Sequence, residues 1–320
     1  MKLLVTGGAG FIGSNFIHYW LTKYPTDSII NLDALTYAGN LDSLKDLEDQ
    51  ANYQFVQGNI CDLDLVNDLV AQVDLIVHFA AESHVDRSIA DSTDFIKTNV
   101  EGTRVLLEVA RKYQVRFHHI STDEVFGALD FSEPAFTEAS SYDPHSPYSA
   151  SKAAADHLVR AYYHTYQLPI TISNCSNNYG PYQHPEKFIP RFITNLLTGQ
   201  DLPLYGSGAN IRDWIHVDDH NAGVEAIIKQ GQIGETYCLG GNSERSNLQV
   251  AKQIVALLEA NEKKIVQVAD RPGHDLRYAI NIGKIKEELG WQPQINFTSG
   301  LKKTIDWYKN NTAWWKKLKK

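Results

Sequence analysis

The stretch Lys2-Leu3-Leu4-Val5-Thr6-Gly7-Gly8-Ala9-Gly10-Phe11-Ile12-Gly13 decides the fold. Its first residues are apolar enough for a short buried strand, and the glycines lead into an amphipathic helical pattern that runs to about Tyr24. Gly8, Gly10 and Gly13 satisfy G-x-G-x-x-G, and Gly7 extends the set to a wider G-x-x-G-x-x-G. Glycines in that pattern permit a tight turn, close backbone approach to a pyrophosphate and close helix packing. The helix that follows points its N-terminal N–H groups at the anion. The motif alone is weak. It gains force from the strand before it, the helix after it and a second strand, residues 28–32, that ends at Asp33.

Asp33 follows Gly13 by about 20 residues, where a carboxylate hydrogen-bonds a ribose and repels a 2′-phosphate, so NAD is favoured over NADP. Further strands are expected at Tyr53–Gln57 and at residues 74–79, 115–120 and 169–173, alternating with helices that include residues 95–113 and 148–166. Asp62 is placed to cap the helix after the third strand. Repeated strand–helix alternation predicts an α/β fold, a doubly wound parallel (Rossmann) sheet with right-handed crossovers. The alternation weakens after residue 174. We therefore expect a cofactor-binding domain over 1–174 that also carries the catalytic residues, and a smaller mixed α/β C-terminal substrate domain over 175–320, with some chain returning to the first.

The chemistry concentrates at Ser121-Thr122-Asp123-Glu124 and Tyr148-Ser149-Ala150-Ser151-Lys152. The first run sits at the carboxyl end of the expected fifth strand, the edge at which open α/β sheets bind ligands. An adjacent acid pair can deliver and remove different protons. Tyr148 and Lys152, at i and i+4, share a helix face, and an ammonium there is expected to pull the phenol towards neutrality as a general base. Glu82 to Ser88 follows the fourth strand, so Ser83 and His84 are candidate ligand contacts; a plain loop fits that stretch equally well.

The second half reads as a helix to about Thr198, extended pieces at 202–206 and 211–217, a helix capped by Asp218 through Lys229, and helices at 247–259 and 284–289. Lys187, Arg191, Arg212, Arg271 and Arg277 are interleaved with Tyr205, Trp214 and Tyr278. Such a set can pair a diphosphate and stack a base. Each one singly also fits a surface charge or a core aromatic. The tail from Trp314 to Lys320 reads as a frayed, solvated terminus.

The 320 residues are 43% hydrophobic, which supplies one large core or two domains. A formal net charge of −8 argues against general nucleic-acid binding, which needs clustered cations. Cys61, Cys175 and Cys238 are widely spaced, so neither a disulfide framework nor a metal site is expected. No apolar run resembles a signal peptide or membrane span, and the chain reads as cytoplasmic and complete.

With these residues laid out, TGGAGFIG at 6–13, FAAESHVDRSI at 79–89, STDEVFG at 121–127, YSASK at 148–152, NNYGPYQHPEK at 177–187, RDWIHVDDH at 212–220 and RPGHDLRY at 271–278 occur together and in order. On these the chain resembles the extended short-chain dehydrogenases/reductases, and among them the dTDP-glucose 4,6-dehydratase family. The resemblance implies Thr122, Asp123, Glu124, Tyr148 and Lys152 as catalytic residues. It implies NAD contacts at Gly7, Gly10, Phe11, Ile12, Gly13, Asp33, Ile60, Ala80, Ala81, Asn99 and Ser121, with Tyr148 and Lys152. It implies nucleotide-sugar contacts at Ser83, His84, Asn177, Lys187, Pro203, Tyr205, Arg212, Asn247, Arg271, His274 and Tyr278. It further implies dTDP-glucose as substrate, supply of deoxysugars such as dTDP-rhamnose, and a homodimer built on helices such as 95–113 and 148–166. Two positions depart from the family pattern: Phe126 stands for the usual Tyr, and Asn59 for the usual Asp. A UDP-glucose 4,6-dehydratase or UDP-sugar 4-epimerase and a catalytically silent NAD sensor are the competing readings.

Overall fold

The computed structural model describes residues 1–270 and 273–319. Its strands are β1 (Lys2–Thr6), β2 (Ser28–Asp33), β3 (Tyr53–Gln57), β4 (Leu75–His78), β5 (Arg116–Thr122), β6 (Ile170–Cys175), β7 (Asn177–Tyr179), β8 (Leu202–Tyr205), β9 (Ile211–His216), β10 (Thr236–Leu239), β11 (Glu244–Ser246) and β12 (Ile265–Val268). The main sheet has the order β10-β6-β5-β4-β1-β2-β3, and every pairing in it is parallel. The expected doubly wound sheet is therefore present. Its order reverses between β1 and β4, and their carboxyl ends open the crevice in which such folds take ligands.

Helices cover both faces, which is why β1, β2 and β4 are nearly continuous in apolar residues, while β5 and β6, buried as well, carry polar side chains such as His118, His119, Thr171 and Ser173. On one side α1 (Phe11–Lys23) packs Phe16, Trp20 and Leu21 against the sheet. On the other, α2 (Leu63–Val70) starts at Asp62, whose carboxylate accepts the Leu65 N–H at 3.2 Å as expected of a cap. Next come α3 (Val85–Ala90), α4 (Thr93–Phe95), a π-helical segment Ile96–Gly102, α5 (Thr103–Tyr113) and α6 (Pro147–Tyr166). Helix α6 opens with a capping box, the Ser146 and Ser149 hydroxyls each taking the other's backbone N–H. The helix expected over 95–113 thus holds a π segment, and Asn99 lies in it, 1% exposed.

Beyond β6, α7 (Phe188–Leu197), α8 (Val217–Gln230), α9 (Asn247–Leu257), α10 (Gly283–Leu289), α11 (Phe297–Asn310) and α12 (Thr312–Lys316) complete the order. Two small sheets, β11-β9-β7 and β12-β8, form this second region around a core with Tyr179, Phe192, Trp214 and Phe297. Strand β10 returns to the main sheet beside β6, and α8 packs Val224, Ile227 and Ile228 into the α1 side of the first core.

Two local expectations are corrected. Asp218 does not cap α8: His216 does, its imidazole accepting the Asp218 N–H at 3.2 Å, and Asp218 lies in the first turn. The tail is not frayed at its tryptophans. Trp315 is 1% exposed, and its indole donates to the Tyr308 carbonyl at 2.8 Å, while Trp314 donates to the Ser43 hydroxyl at 3.2 Å. Burying two indoles with both N–H groups partnered outweighs the solubility of the lysines around them.

Candidate active site

A cavity of about 320 Å³ opens at the β1/β4 crevice. It is lined by Gly7, Gly10, Phe11, Ile12 and Gly13 from the glycine turn, by Asp33, Ile60, Ala80, Ala81 and Ser83 from successive strand ends, and by Ser121, Thr122, Asp123, Glu124, Tyr148, Lys152, Asn177 and Lys187. These expected site residues therefore converge on one space. Asn99 supports it from behind: its side chain accepts the Glu82 N–H at 2.9 Å and donates to the Glu82 carbonyl and the Ser151 hydroxyl.

The glycine end fits a dinucleotide. Gly7 has φ +71°, and a Cβ there would lie 2.6 Å from the Ala80 backbone; one at Gly13 would lie 2.4 Å from the Gly7 carbonyl. The turn is thus bare backbone held close to β4, with its N–H groups at the start of α1. Asp33 sits across from it, 8% exposed, accepting the Ala9 N–H at 2.9 Å and the Leu35 N–H at 2.8 Å. Burial raises its pKa and the two backbone donors oppose that rise. Asn59 also lines the cavity, but its Oδ1 already accepts the Cys61 N–H at 2.9 Å.

At the other end Thr122 caps the short 3₁₀ turn Asp123–Phe126. Its hydroxyl accepts the Glu124 N–H and donates to Asp123 Oδ1, both at 3.3 Å, and it lines the cavity together with Tyr148. Asp123 is 1% exposed, and its Oδ2 has no partner among the described residues. Burial first, then the Glu124 and Asp213 carboxylates, push its pKa well above the ordinary carboxylate range, with Arg212 opposing. Asp123 is therefore held as a neutral acid, ready to donate a proton. Glu124 stands beside it on the cavity wall.

One expectation about this pair of elements is overturned. The Tyr148 phenol is not drawn towards neutrality: burial and then the Glu124 carboxylate push it well above its ordinary value. Lys152 Nζ donates to the Ile120 carbonyl at 2.7 Å, and burial holds its own pKa down. A shared helix face brings the two side chains into one cavity, but the desolvation of the buried phenol and the Glu124 carboxylate decide its pKa.

Phe126 is 3% exposed and packs its ring 5.2 Å from both Phe136 and Tyr142, in a small core with Val125, Ala153 and Ile280. It does not line the cavity.

The expected sugar-nucleotide contacts divide. Lys187 is half-buried in the cavity wall and donates to the Ser83 carbonyl at 3.0 Å, and Asn177 Oδ1 is buried without a partner among the described residues. His84 stands just outside, its Nε2 3.7 Å from Glu186. Arg212, Tyr278, Tyr205, His274, Pro203 and Asn247 do not line this cavity. Arg212 donates to the Asp275 carbonyl at 3.1 Å with its guanidinium 4.3 Å from the Tyr278 ring centroid, and the Tyr278 hydroxyl donates to Asp275. Tyr205, on β8 with Pro203, meets the His274 ring edge-on at 6.2 Å, and His274 Nδ1 is 2.6 Å from Asp270. Asn247 opens α9, its N–H on the Asn210 carbonyl at 3.0 Å. Arg271 lies outside the described residues. Arg277 is engaged structurally, with Glu244 at 2.6 Å and the Glu133 carbonyl at 2.7 Å.

The cavity also takes in residues that the sequence reading passed over. Ala34, Thr36, Tyr37, Ala38 and Gly39 follow β2, where the strand-end rule would have pointed. Asn178, Gln183, His184 and Glu186 lie in the NNYGPYQHPEK run without having been singled out, and Thr98 and Ser176 arrive by packing.

The family profile described as GDP-mannose 4,6 dehydratase matches residues 4–304. A dTDP-glucose 4,6-dehydratase of Mycolicibacterium smegmatis is 56% identical over 321 aligned positions, covering 100% of this chain and 96% of the relative. The crystal structure of DesIV, a dTDP-glucose 4,6-dehydratase from Streptomyces venezuelae with NAD and TYD bound, superposes with a TM-score of 0.97 at 50% identity and covers 100% of both chains. A UDP-glucose 4-epimerase from Thermotoga maritima with UDP-glucose shares the fold at a TM-score of 0.90 but at 27% identity, over 98% of this chain and 100% of its own. A full-length match at that identity, on a parallel sheet whose crevice holds an acid pair opposite a Tyr/Lys pair, shows that the chain belongs to the dTDP-glucose 4,6-dehydratase family of extended short-chain dehydrogenases/reductases.

Proposed function

We propose that the protein is an NAD-dependent hydro-lyase that converts dTDP-glucose to dTDP-4-keto-6-deoxyglucose. The observation that carries this reading is the buried Asp123 next to Glu124, in the same cavity as Tyr148 and Lys152. Bound in the crevice, NAD⁺ supplies a hydride acceptor for carbon 4 and later a hydride donor for carbon 6. Tyr148 takes the proton of the sugar 4-hydroxyl, with Thr122 in the same cavity wall to orient the oxygen. The ketone formed at carbon 4 acidifies the carbon 5 proton, which Glu124 removes. Asp123 gives its proton to the departing 6-hydroxyl, so that one water leaves, and Glu124 returns its proton to carbon 5. Lys152 and Ser121 hold the cofactor side of the cavity, while Asn177 and Lys187 face the sugar and Arg212 and Tyr278 extend the site towards the nucleotide.

Incubating the purified protein with dTDP-glucose, without added NAD, tests this directly. The expected product is the 4-keto-6-deoxy sugar. A galactose-configured product from a UDP-sugar would instead support the epimerase reading, which uses Tyr148 and Lys152 but has no need of an acid pair. Binding of NAD with no nucleotide sugar altered would support a sensor. Parallel assays with UDP- and GDP-glucose decide the base, since thymine and uracil differ by one methyl group, worth about 1–3 kcal/mol in an apolar pocket.

Among the described residues no helix is long and apolar enough to cross a membrane. A cytoplasmic enzyme that supplies deoxysugar synthesis such as that of dTDP-rhamnose, assembled as a homodimer through helices such as those over 95–113 and 148–166, belongs to the same proposal. Sizing in solution and fractionation of the cell test these points.

A further inference from the structure

One face of α6 carries Tyr148, Lys152, Asp156 and Arg160 at successive four-residue steps, so the four side chains stack along the helix behind the active site. Only the first two reach the cavity. Lys152 is 4% exposed, and its hydrogen bond to the Ile120 carbonyl satisfies one of three ammonium N–H groups. An ammonium so buried requires an opposing charge, or it gives up its proton.

The groups that act on Lys152 come from four elements. Helix α6 contributes Asp156. From β4 and β5, His78 and His119 face it, and burial lowers the pKa of both imidazoles, His119 to about 4, so both are neutral. From β6 comes the Cys175 thiol, which burial pushes up to about 12. Among the described residues, Asp156 is thus the ionised carboxylate that favours the Lys152 ammonium. It is itself kept ionised by donors: Oδ2 accepts the Ser121 hydroxyl at 2.9 Å, the Tyr142 hydroxyl at 2.7 Å and the Asn174 amide at 3.2 Å. His119 Nε2 lies 3.2 Å from Oδ1. Arg160 closes the ladder, donating to the Tyr142 oxygen at 2.7 Å.

We propose that Asp156 is a positioning residue for the chemistry at Tyr148: a buried counter-ion that keeps the Lys152 side chain an ammonium and, through the Ser121 hydroxyl, ties the end of β5 to α6. The inference rests on the reading of Tyr148 and Lys152 as the oxidation pair. Because burial and Glu124 hold the Tyr148 phenol up, proton transfer to its oxygen needs the Lys152 cation in the same cavity to offset them, and a neutral amine offers none.

The test isolates the oxidation step. dTDP-6-deoxyglucose presents a 4-hydroxyl but no 6-hydroxyl to eliminate, so reduction of the enzyme's bound NAD, followed by nicotinamide absorbance, reports hydride transfer alone. Its rate is measured from neutral to alkaline pH in the wild-type holoenzyme and in Asp156→Asn. Removing a neighbouring negative charge lowers an ammonium's pKa, so the alkaline limb of the Asp156→Asn profile should fall about 1–3 pH units lower than in wild type. Tyr142→Phe deletes one donor to the same carboxylate and leaves its charge, and should keep the wild-type alkaline limb. Asp156→Ser, uncharged and still able to accept a hydrogen bond, asks the same question should Asp156→Asn fail to fold. A rate reduced equally at every pH, or a Tyr142→Phe profile displaced as far as that of Asp156→Asn, would overturn the proposal. Absence of hydride transfer in the wild-type protein at any pH would count first against the underlying oxidation reading, and would remove the inference with it.

Discussion

The front of the Tyr148/Lys152 pair, facing the cavity, and the ground behind it, facing the core, each hold one fully buried aspartate. Asp123 is 1% exposed and Asp156 is 0% exposed, so burial penalises the two carboxylates alike. Their neighbours do not. Asp123 faces Glu124 and Asp213 and is driven to its neutral form, whereas against the same burial Asp156 is held down by His119 first, then by the Lys152 cation and the Tyr142 hydroxyl, and stays ionised. The same residue type becomes a proton donor in one place and a counter-ion in the other. Desolvation sets the size of the penalty; the partners set which form survives it.

The largest test of that contrast is made at the front. Asp123→Asn removes the transferable proton, and dehydration of dTDP-glucose should fall by roughly 10²–10⁴-fold while the bound cofactor accumulates in its reduced form. A near-wild-type rate would show that another group protonates the leaving hydroxyl. Glu124→Gln should block elimination to a similar degree, roughly 10²–10⁴-fold, and still allow cofactor reduction. Normal dehydration by that variant would take Glu124 out of the mechanism.

Stability separates the two aspartates next. Asp156→Asn turns an amide N–H₂ onto a set of donors and should lower unfolding free energy by about 1–3 kcal/mol in urea titrations. Asp123→Asn replaces a neutral acid with a neutral amide and should cost less than about 1 kcal/mol. Equal losses would mean that Asp123 is ionised after all.

The smallest effect concerns pH. His119 and His220 are fully buried, and desolvation holds each imidazole at about 4. In the unfolded chain they titrate near about 6.5, so between about 6.5 and about 4 the unfolded state binds more protons than the folded one. Their contribution to stability is complete above that window and is lost as pH falls through it, at no more than about 1.4 kcal/mol per pH unit for each. Urea midpoints measured across that range check the slope. His119→Gln should flatten it by less than half of the total, because His78, His118 and His220 are held down in the same sense.

Much of this molecule was legible before any coordinate. Gly7, Gly10 and Gly13 announced their turn because a Cβ at Gly7 or Gly13 would meet backbone, and the strands that follow announced themselves because a sheet covered on both faces needs apolar runs. Asp123, Glu124, Tyr148 and Lys152 could be placed in one crevice because strand-end position and helical spacing are local properties. Strand β10 was not legible: Thr236–Leu239 is only four residues long, and its role depends on β6 standing next to it. Nor were the buried tail tryptophans, the cap at His216 or the Glu244 partner of Arg277, each of which is settled by a residue distant in the chain or by the packing around it.

The sequence by itself determined the parallel sheet, the dinucleotide turn and the residue types that meet at the end of β5, because backbone geometry and side-chain periodicity act over a few neighbouring residues. Only the tertiary structure decided the charges those residues carry. Spacing along α6 suggested a Tyr148 phenol made acidic by Lys152, yet burial pushes that phenol up, makes Asp123 a neutral acid and leaves Lys152 dependent on Asp156. Desolvation and long-range pairing depend on what surrounds a group in space, and the linear order of the chain does not contain that information.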